Sequence, residues 1–422
     1  MRKSFIILLA LFVCALGPAA SAQLDSNNET PDAVSAFPST GETHDIAVVS
    51  TADIFSHLSE ARRVLSSRSA AAISGEVVAL AALDPRTSEM SVFSVAKDEF
   101  LVRDADLAAT TQMGGAVRIH VVRANGVNTA VTVTDVSNGQ PLIPMMVQFP
   151  IVKGGAISEM AYYTSAHPAL LSPQITEAGQ TYVRRMLDAA AERLAEDGVT
   201  VPADLVDIAE HLCIVEHTDH KRFMNEDRTL LFPEILSLYA LNQGNTYRYS
   251  VSSAGAGGMI QMIPRTYAAI REQHAAVSLE ADFVDGMRNH KNALEAMLLY
   301  MNDTWNNLSQ SSEVQEALRT GVATKPELMA AGYNSNPMKL PIYLKNGGTQ
   351  WRTLIPSETQ MYLAIYSSVD STLRLGSPLS AVDYGSSSAP ATVTQTSMAS
   401  TVLSWVAQSL SIGGPLFGRL LH

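Results

Sequence analysis

Residues 251 to 267 read VSSAGAGGMIQMIPRTY: three glycines and two alanines, then a single glutamine, Gln261, set among four apolar residues. A backbone this bare can approach another chain closely, because glycine lacks a Cβ. Phosphate chemistry does not fit. A Walker-type loop closes on Gly-Lys-Ser/Thr, and Gly258 is followed by Met259. A dinucleotide fingerprint needs G-x-G-x-x-G, a spacing that Gly255, Gly257 and Gly258 lack. Upstream stands Glu216, at the end of the apolar run VPADLVDIAEHLCIVEH. Helical spacing places Leu212 and Cys213 beside it, four and three positions earlier. A carboxyl held against apolar side chains resists ionisation. It can then stay protonated near neutral pH and act as a general acid. From helix periodicity alone, a helix-terminal glutamate standing in water is the simpler reading.

The elements that must position these residues follow from pattern. Pro202 opens the helix that ends at Glu216, with Leu205, Ile208, Leu212 and Val215 on one face. EAGQTYVRRMLDAAAERLAED is an amphipathic helix that stops before Gly198, and residues 290 to 308 form another. Ahead of these, residues 46 to 165 read differently. A helix over 52 to 68 repeats Ile54, Leu58, Ala61 and Leu65. It is followed by short β-branched runs, GEVVALAAL, MSVFSVA, AVRIHVVRA, TAVTVTDV and PMMVQFPIV, punctuated by turn residues. The expected fold class is therefore α+β: a small β-rich domain of unassigned role (46–165), then a mostly helical domain (175–378).

Composition bounds the setting. Residues 1 to 22 resemble an export signal: Arg2 and Lys3, an apolar core too short to span a bilayer, and Ala20-Ser21-Ala22 before Gln23. Residues 23 to 45 read as a disordered linker, residues 379 to 400 as a second, Ser/Thr-rich linker, and 401 to 422 as an apolar segment broken by Gly413-Gly414-Pro415. Beyond the signal only Cys213 remains, so no internal disulfide is expected. Asp plus Glu number 41 against 29 Lys plus Arg, which argues against nucleic acid or an anionic membrane as the main partner. The expected location is the periplasm or cell envelope.

The glycine stretch, read as S-x-x-G-A-x-G-M-I-Q-M-I-P over Ser252, Gly255, Ala256, Gly258, Gln261 and Pro264, resembles the signature of the soluble lytic transglycosylase family, whose fold is like goose-type lysozyme. Further blocks match in order. VPADLVDIAEHLCIVEH resembles the helix that ends at the family's catalytic Glu, which places Glu216 there. NALEAMLLYMNDTW resembles a later helix, with its Tyr-Leu pair reversed as Leu299-Tyr300. AAGYNSNP resembles the Ala-Tyr-Asn block, giving Tyr333 and Asn334, and PSETQMY the Glu-Thr-x-x-Tyr block, giving Glu358, Thr359 and Tyr362. The resemblance spans roughly residues 200 to 370. It implies a lysozyme-like catalytic domain that cleaves peptidoglycan between N-acetylmuramic acid and N-acetylglucosamine. Glu216 would be acid then base, Ser252, Gln261, Tyr333 and Asn334 would bind substrate, and Glu358 and Tyr362 are further candidates. No cofactor or metal is implied. An envelope protein partner, meeting the β-rich domain or the C-terminal segment, is a further expectation.

The chain departs from the family in three places. His217 follows the glutamate where Ser or Thr is usual, 36 positions separate Glu216 from Ser252, and Asn336 replaces a glycine. The insertion 217–251 contains a helical LFPEILSLYAL, three tyrosines (Tyr239, Tyr247, Tyr249) that could line a sugar groove or fill a core, and two rival acids, Glu226 and Glu234. His211, His217, Asp219 and His220 invite a metal, yet the HExxH pattern is absent and a solvated helix end is the simpler reading. No G-x-S-x-G elbow occurs, and Cys213 on an apolar helix reads as packing. Two other functions stay open: a lysozyme-like hydrolase, and a glycan-binding or scaffold module without turnover.

Overall fold

The structure is a computed structural model that describes residues 51–69, 72–373 and 375. The residues read as an export signal, as two linkers and as a C-terminal apolar segment lie outside the described residues. The architecture is α+β: an antiparallel sheet over residues 77–163 followed by a mostly helical region over 173–372.

Helix α1 (Thr51–Ser66) precedes strands β1 (Val77–Leu83) and β2 (Met90–Ala96). A short helix α2 (Lys97–Phe100) leads to β3 (Asp106–Thr110), β4 (Ala116–Arg123), β5 (Ala130–Asp135), β6 (Pro141–Lys153) and β7 (Ala156–Tyr163). The sheet order is β2-β1-β6-β5-β4-β3, with β7 also paired to β6. Its ends approach one another, since Gln112 N–H donates to Val92 O at 2.9 Å, so the sheet nearly closes. Strand β1 shows why its sequence is apolar throughout. Val78, Leu80 and Ala82 face the sheet interior, while Ala79, Ala81 and Leu83 pack outward under Ile54, Leu58, Ala61 and Leu65 of α1. A strand covered on both faces reads as a continuous hydrophobic run. Strands β3 and β7 escape sequence reading because DLAAT and AISEMAYY lack a β-branched run.

The helical region begins with α3 (Pro173–Glu196), capped by Ser172, and α4 (Ala203–Val215). Within the insertion lie α5 (His220–Asn225) and α6 (Arg228–Asn242). Then come α7 (Pro264–Gln273), α8 (Phe283–Arg288), α9 (His290–Leu308), α10 (Ser312–Arg319), α11 (Lys325–Asn334), α12 (Leu340–Gly347) and α13 (Ser357–Thr372). Helix α9 has the bounds its apolar periodicity predicts, and Asn289 caps it by accepting from the backbone N–H groups of Lys291 and Asn292.

Helix α6 joins the two halves. Leu238 enters the sheet interior, and Ala240 and Leu241 join the layer beneath α1. Asn242 clasps the chain after β7, accepting from Thr164 N–H and donating to Thr164 O, both at 2.8 Å. On its other side α6 crosses α3 at Gly179, where a Cβ would sit 1.8 Å from the Leu236 carbonyl oxygen. Only glycine lets the two backbones meet so closely. Gly179→Ala is therefore expected to lower stability by about 3 kcal/mol or more, seen as a lower urea midpoint. An unchanged midpoint would mean that the α3–α6 crossing is wrong.

Candidate active site

Helix α4 delivers Glu216. Its last turn is sealed by Leu212, Cys213, Ile214 and Val215, all buried. Glu216 N–H donates to Leu212 O at 3.0 Å as the chain leaves the helix. The residue keeps a window to solvent, but its carboxyl loses most of its hydration. That burial pushes its pKa up from the ordinary 4.5 to about 8. The Tyr362 hydroxyl donates to Glu216 Oε1 at 2.5 Å and pulls the other way, while the negative charge of exposed Glu358 adds to the rise. With Oε1 occupied as an acceptor, Oε2 is the oxygen free to carry the proton.

The glycine stretch forms a compact turn beside it. Val251 bridges Gly257, and Gly257 bridges Met262. Ser252 stabilises the turn itself: its hydroxyl accepts from Ala256 N–H at 3.1 Å. Gly258 has φ +68°, and a Cβ there would lie 2.3 Å from the Met287 carbonyl oxygen. The bare backbone is thus needed for packing onto the end of α8. Met259, Ile260 and Met262 are buried. Ile263 is not: it is 39% exposed, because the chain reverses at Gln261 and Pro264 starts α7 on the surface. Gln261 adopts the left-handed conformation, φ +47°, and its side-chain amide donates to Gly258 O at 2.8 Å and to Ser250 Oγ at 3.3 Å.

Two further helices complete the cluster. At the end of α11, Tyr333 donates to Ile260 O at 2.8 Å and lies within electrostatic reach of Glu216. Asn334 Oδ1 accepts from Thr359 Oγ1 at 2.8 Å, which ties α11 to the start of α13. The structure therefore gathers Glu216, Tyr362, Glu358, Tyr333 and the 257–261 turn. Ser252 bonds within its own turn, and the Asn334 carbonyl is directed to α13. A groove of about 310 Å³ opens nearby between α7 and α9, lined by Arg265, Thr266, Ile270, Tyr300, Asp303 and Met338 among others. Glu216 does not line it, but Tyr300 meets Tyr333 edge-on, with ring centroids 5.7 Å apart.

The rival acids are structural. Burial alone would raise the pKa of Glu234, but Arg222 and Arg123 outweigh it and hold the carboxyl down at about 2. Arg222 spans both oxygens of Glu234 at 3.0 and 2.7 Å and also bonds Glu226. A permanently ionised, paired carboxylate cannot donate a proton. Of the insertion tyrosines, Tyr239 is fully buried and donates to Cys213 O, Tyr247 packs between the two cores, and Tyr249 donates to Glu159 of β7. They fill the structure rather than line a groove. The histidines serve separate partners: His211 contacts Asp207 O and Asp370, while His217 contacts Met259 O. Asp219 caps α5. Burial pushes the Cys213 thiol pKa up, consistent with inert packing.

The contacts His217 makes are not legible in the sequence, because they come from positions 247 and 259. Searches of protein-family models, curated proteins and solved structures find nothing that matches this chain.

Because Glu216 titrates near 8 when folded and near 4.5 when unfolded, the native state holds the extra proton between those values. Its contribution to stability falls as pH rises through that window. Glu216→Gln is expected to be nearly neutral at about pH 4 and to stabilise by about 1–3 kcal/mol at about pH 9, read from melting curves. A constant difference across pH would contradict the buried, protonated carboxyl.

Proposed function

We propose that this protein is an exported peptidoglycan lytic transglycosylase with a lysozyme-like catalytic region. One observation carries the reading. Four blocks far apart in sequence converge on one carboxyl whose burial raises its pKa to about 8: the end of α4, the 251–262 turn, the end of α11 and the start of α13. They are four of the five blocks that resemble the soluble lytic transglycosylase family.

Ordinary glycosidases use two carboxylates. A single glutamate suffices when the attacking hydroxyl belongs to the substrate. Glu216 Oε2–H protonates the glycosidic oxygen between N-acetylmuramic acid and N-acetylglucosamine, and that bond breaks. The resulting carboxylate takes the proton from the C6 hydroxyl of the same muramic residue. Its oxygen closes on the anomeric carbon, giving a 1,6-anhydro end and returning the proton to Glu216. No water is consumed. Tyr362 holds the carboxyl in one orientation throughout and stabilises the charge that develops on it. Tyr333, Gln261, Ser252 and Asn334 shape the wall on which the sugar lies.

A second reading has its own support. The polar groups of Ser252, Gln261, Tyr333 and Asn334 are already engaged within the protein. That arrangement also suits a glycan-binding module without turnover. Digestion of purified peptidoglycan separates the two. The wild type is expected to release anhydro-ended fragments, identified by mass spectrometry, and Glu216→Gln to release none. Reducing-end fragments would indicate hydrolysis instead, and retention on the pellet without fragments would favour the binding module.

The pH profile follows from the same carboxyl. Turnover is expected to fall as pH rises through about 8. Tyr362→Phe removes the bond that favours the charged form, so the alkaline limb moves up. Glu358→Gln removes a like charge, so it moves down, and less so at high salt. Limbs that move in the opposite directions would remove Glu216 as the acid.

A further inference from the structure

Three consecutive carbonyls in the turn beside Glu216 are each held by a side chain. Gly258 O accepts from Gln261 at 2.8 Å, Met259 O from His217 at 2.9 Å, and Ile260 O from Tyr333 at 2.8 Å. Gln261 is local to the turn, and Tyr333 comes from α11. His217 comes from the residue directly after Glu216. A carbonyl can only accept, so His217 Nε2 carries the hydrogen.

His217 is itself clamped from behind. Its ring stacks on Tyr247, with centroids 3.4 Å apart and planes within 2°. Tyr247 is a non-glycine residue at φ +55°, a conformation that needs surrounding structure to persist. Tyr239 packs edge-on against it at 5.3 Å, and Tyr163 of β7 is hydrogen-bonded to its backbone. Contacts therefore run from the sheet through Tyr163, Tyr247 and His217 to the turn that walls Glu216. Burial pushes the pKa of His217 down to about 3, so its ring stays neutral and Nε2–H remains a donor across the working range.

We infer that His217 is a positioning residue: through it the β-rich part and the insertion hold the 258–260 turn against Glu216. The inference rests on Glu216 being the acid. It also gives the insertion a role, since Tyr247 stands at its far end and braces the residue at its start.

The test uses the mature protein and two readouts. His217→Ala is expected to lower kcat for peptidoglycan cleavage roughly tenfold to a hundredfold with KM little changed, as misplacement of a catalytic wall does. His217→Gln, whose amide can donate to Met259 O, is expected to recover much of that loss. The second readout needs no turnover. The midpoint of Glu216 titration in the folded state, read from the pH at which the melting difference between wild type and Glu216→Gln levels off, is measured again in a His217→Ala background. Loss of the clamp admits water to the carboxyl, so the midpoint is expected to move down by about one unit or more. If His217→Ala fails to fold, Tyr247→Leu takes its place. Unchanged kcat and an unchanged midpoint would overturn the inference, as would a His217→Gln variant no better than His217→Ala. If the wild type yields no fragments, the enzyme reading fails while the midpoint still decides the clamp.

Discussion

Glu216 must be kept dry while remaining within reach of solvent, and much of the helical region answers to that constraint. The residue stands where α4 stops, so the backbone places it at an edge while the last helical turn surrounds its stem with Leu212, Cys213 and Val215. Helix α13 then supplies the buried Tyr362, 3% exposed, and the exposed Glu358. One steadies the carboxylate and the other disfavours it. Desolvation prevails over the tyrosine bond, and the carboxyl holds its proton to about pH 8.

The glycine turn answers to the same constraint from the opposite wall. Its small residues are needed because Gly258 packs on the Met287 backbone at a distance no side chain would allow. Its carbonyls are fixed one by one from α11, from Gln261 and from the chain after Glu216. The sheet contributes rigidity at a distance. Asn242 joins it to α6, and the hydrogen-bonded set Arg123, Arg222, Glu226 and Glu234 crosses the same boundary. Breaking such a buried pair is strongly destabilising, which suits a brace rather than a site.

What was legible in the sequence was local. Periodicity placed α1 and its four buried positions, the bounds of α9, and Glu216 at the end of a helix with Leu212 and Cys213 beside it. The desolvation of Glu216 was not legible, because the same spacing suits a helix end in water and Tyr362 arrives from α13. What stayed hidden depends on residues brought from far away. That Glu234 is ionised follows from Arg222 and Arg123, the latter 111 positions earlier, so spacing alone could not rank it below Glu216. Tyr239, Tyr247 and Tyr249 read equally well as groove or core, and only their contacts with the helices and the sheet decide for core. Ile263 continues an apolar pattern and yet is exposed, because a left-handed Gln261 breaks the helical register just before it. Strands β3 and β7 lack the β-branched runs on which strand reading depends.

Protonation of one carboxyl governs the site, and infrared difference spectroscopy reads it directly. Spectra of wild type and Glu216→Gln would be subtracted over about pH 5 to 10. The expected difference is a protonated-carboxyl band that belongs to Glu216 and gives way to a carboxylate band with a midpoint near 8. A carboxylate band already complete at about pH 6 would contradict it.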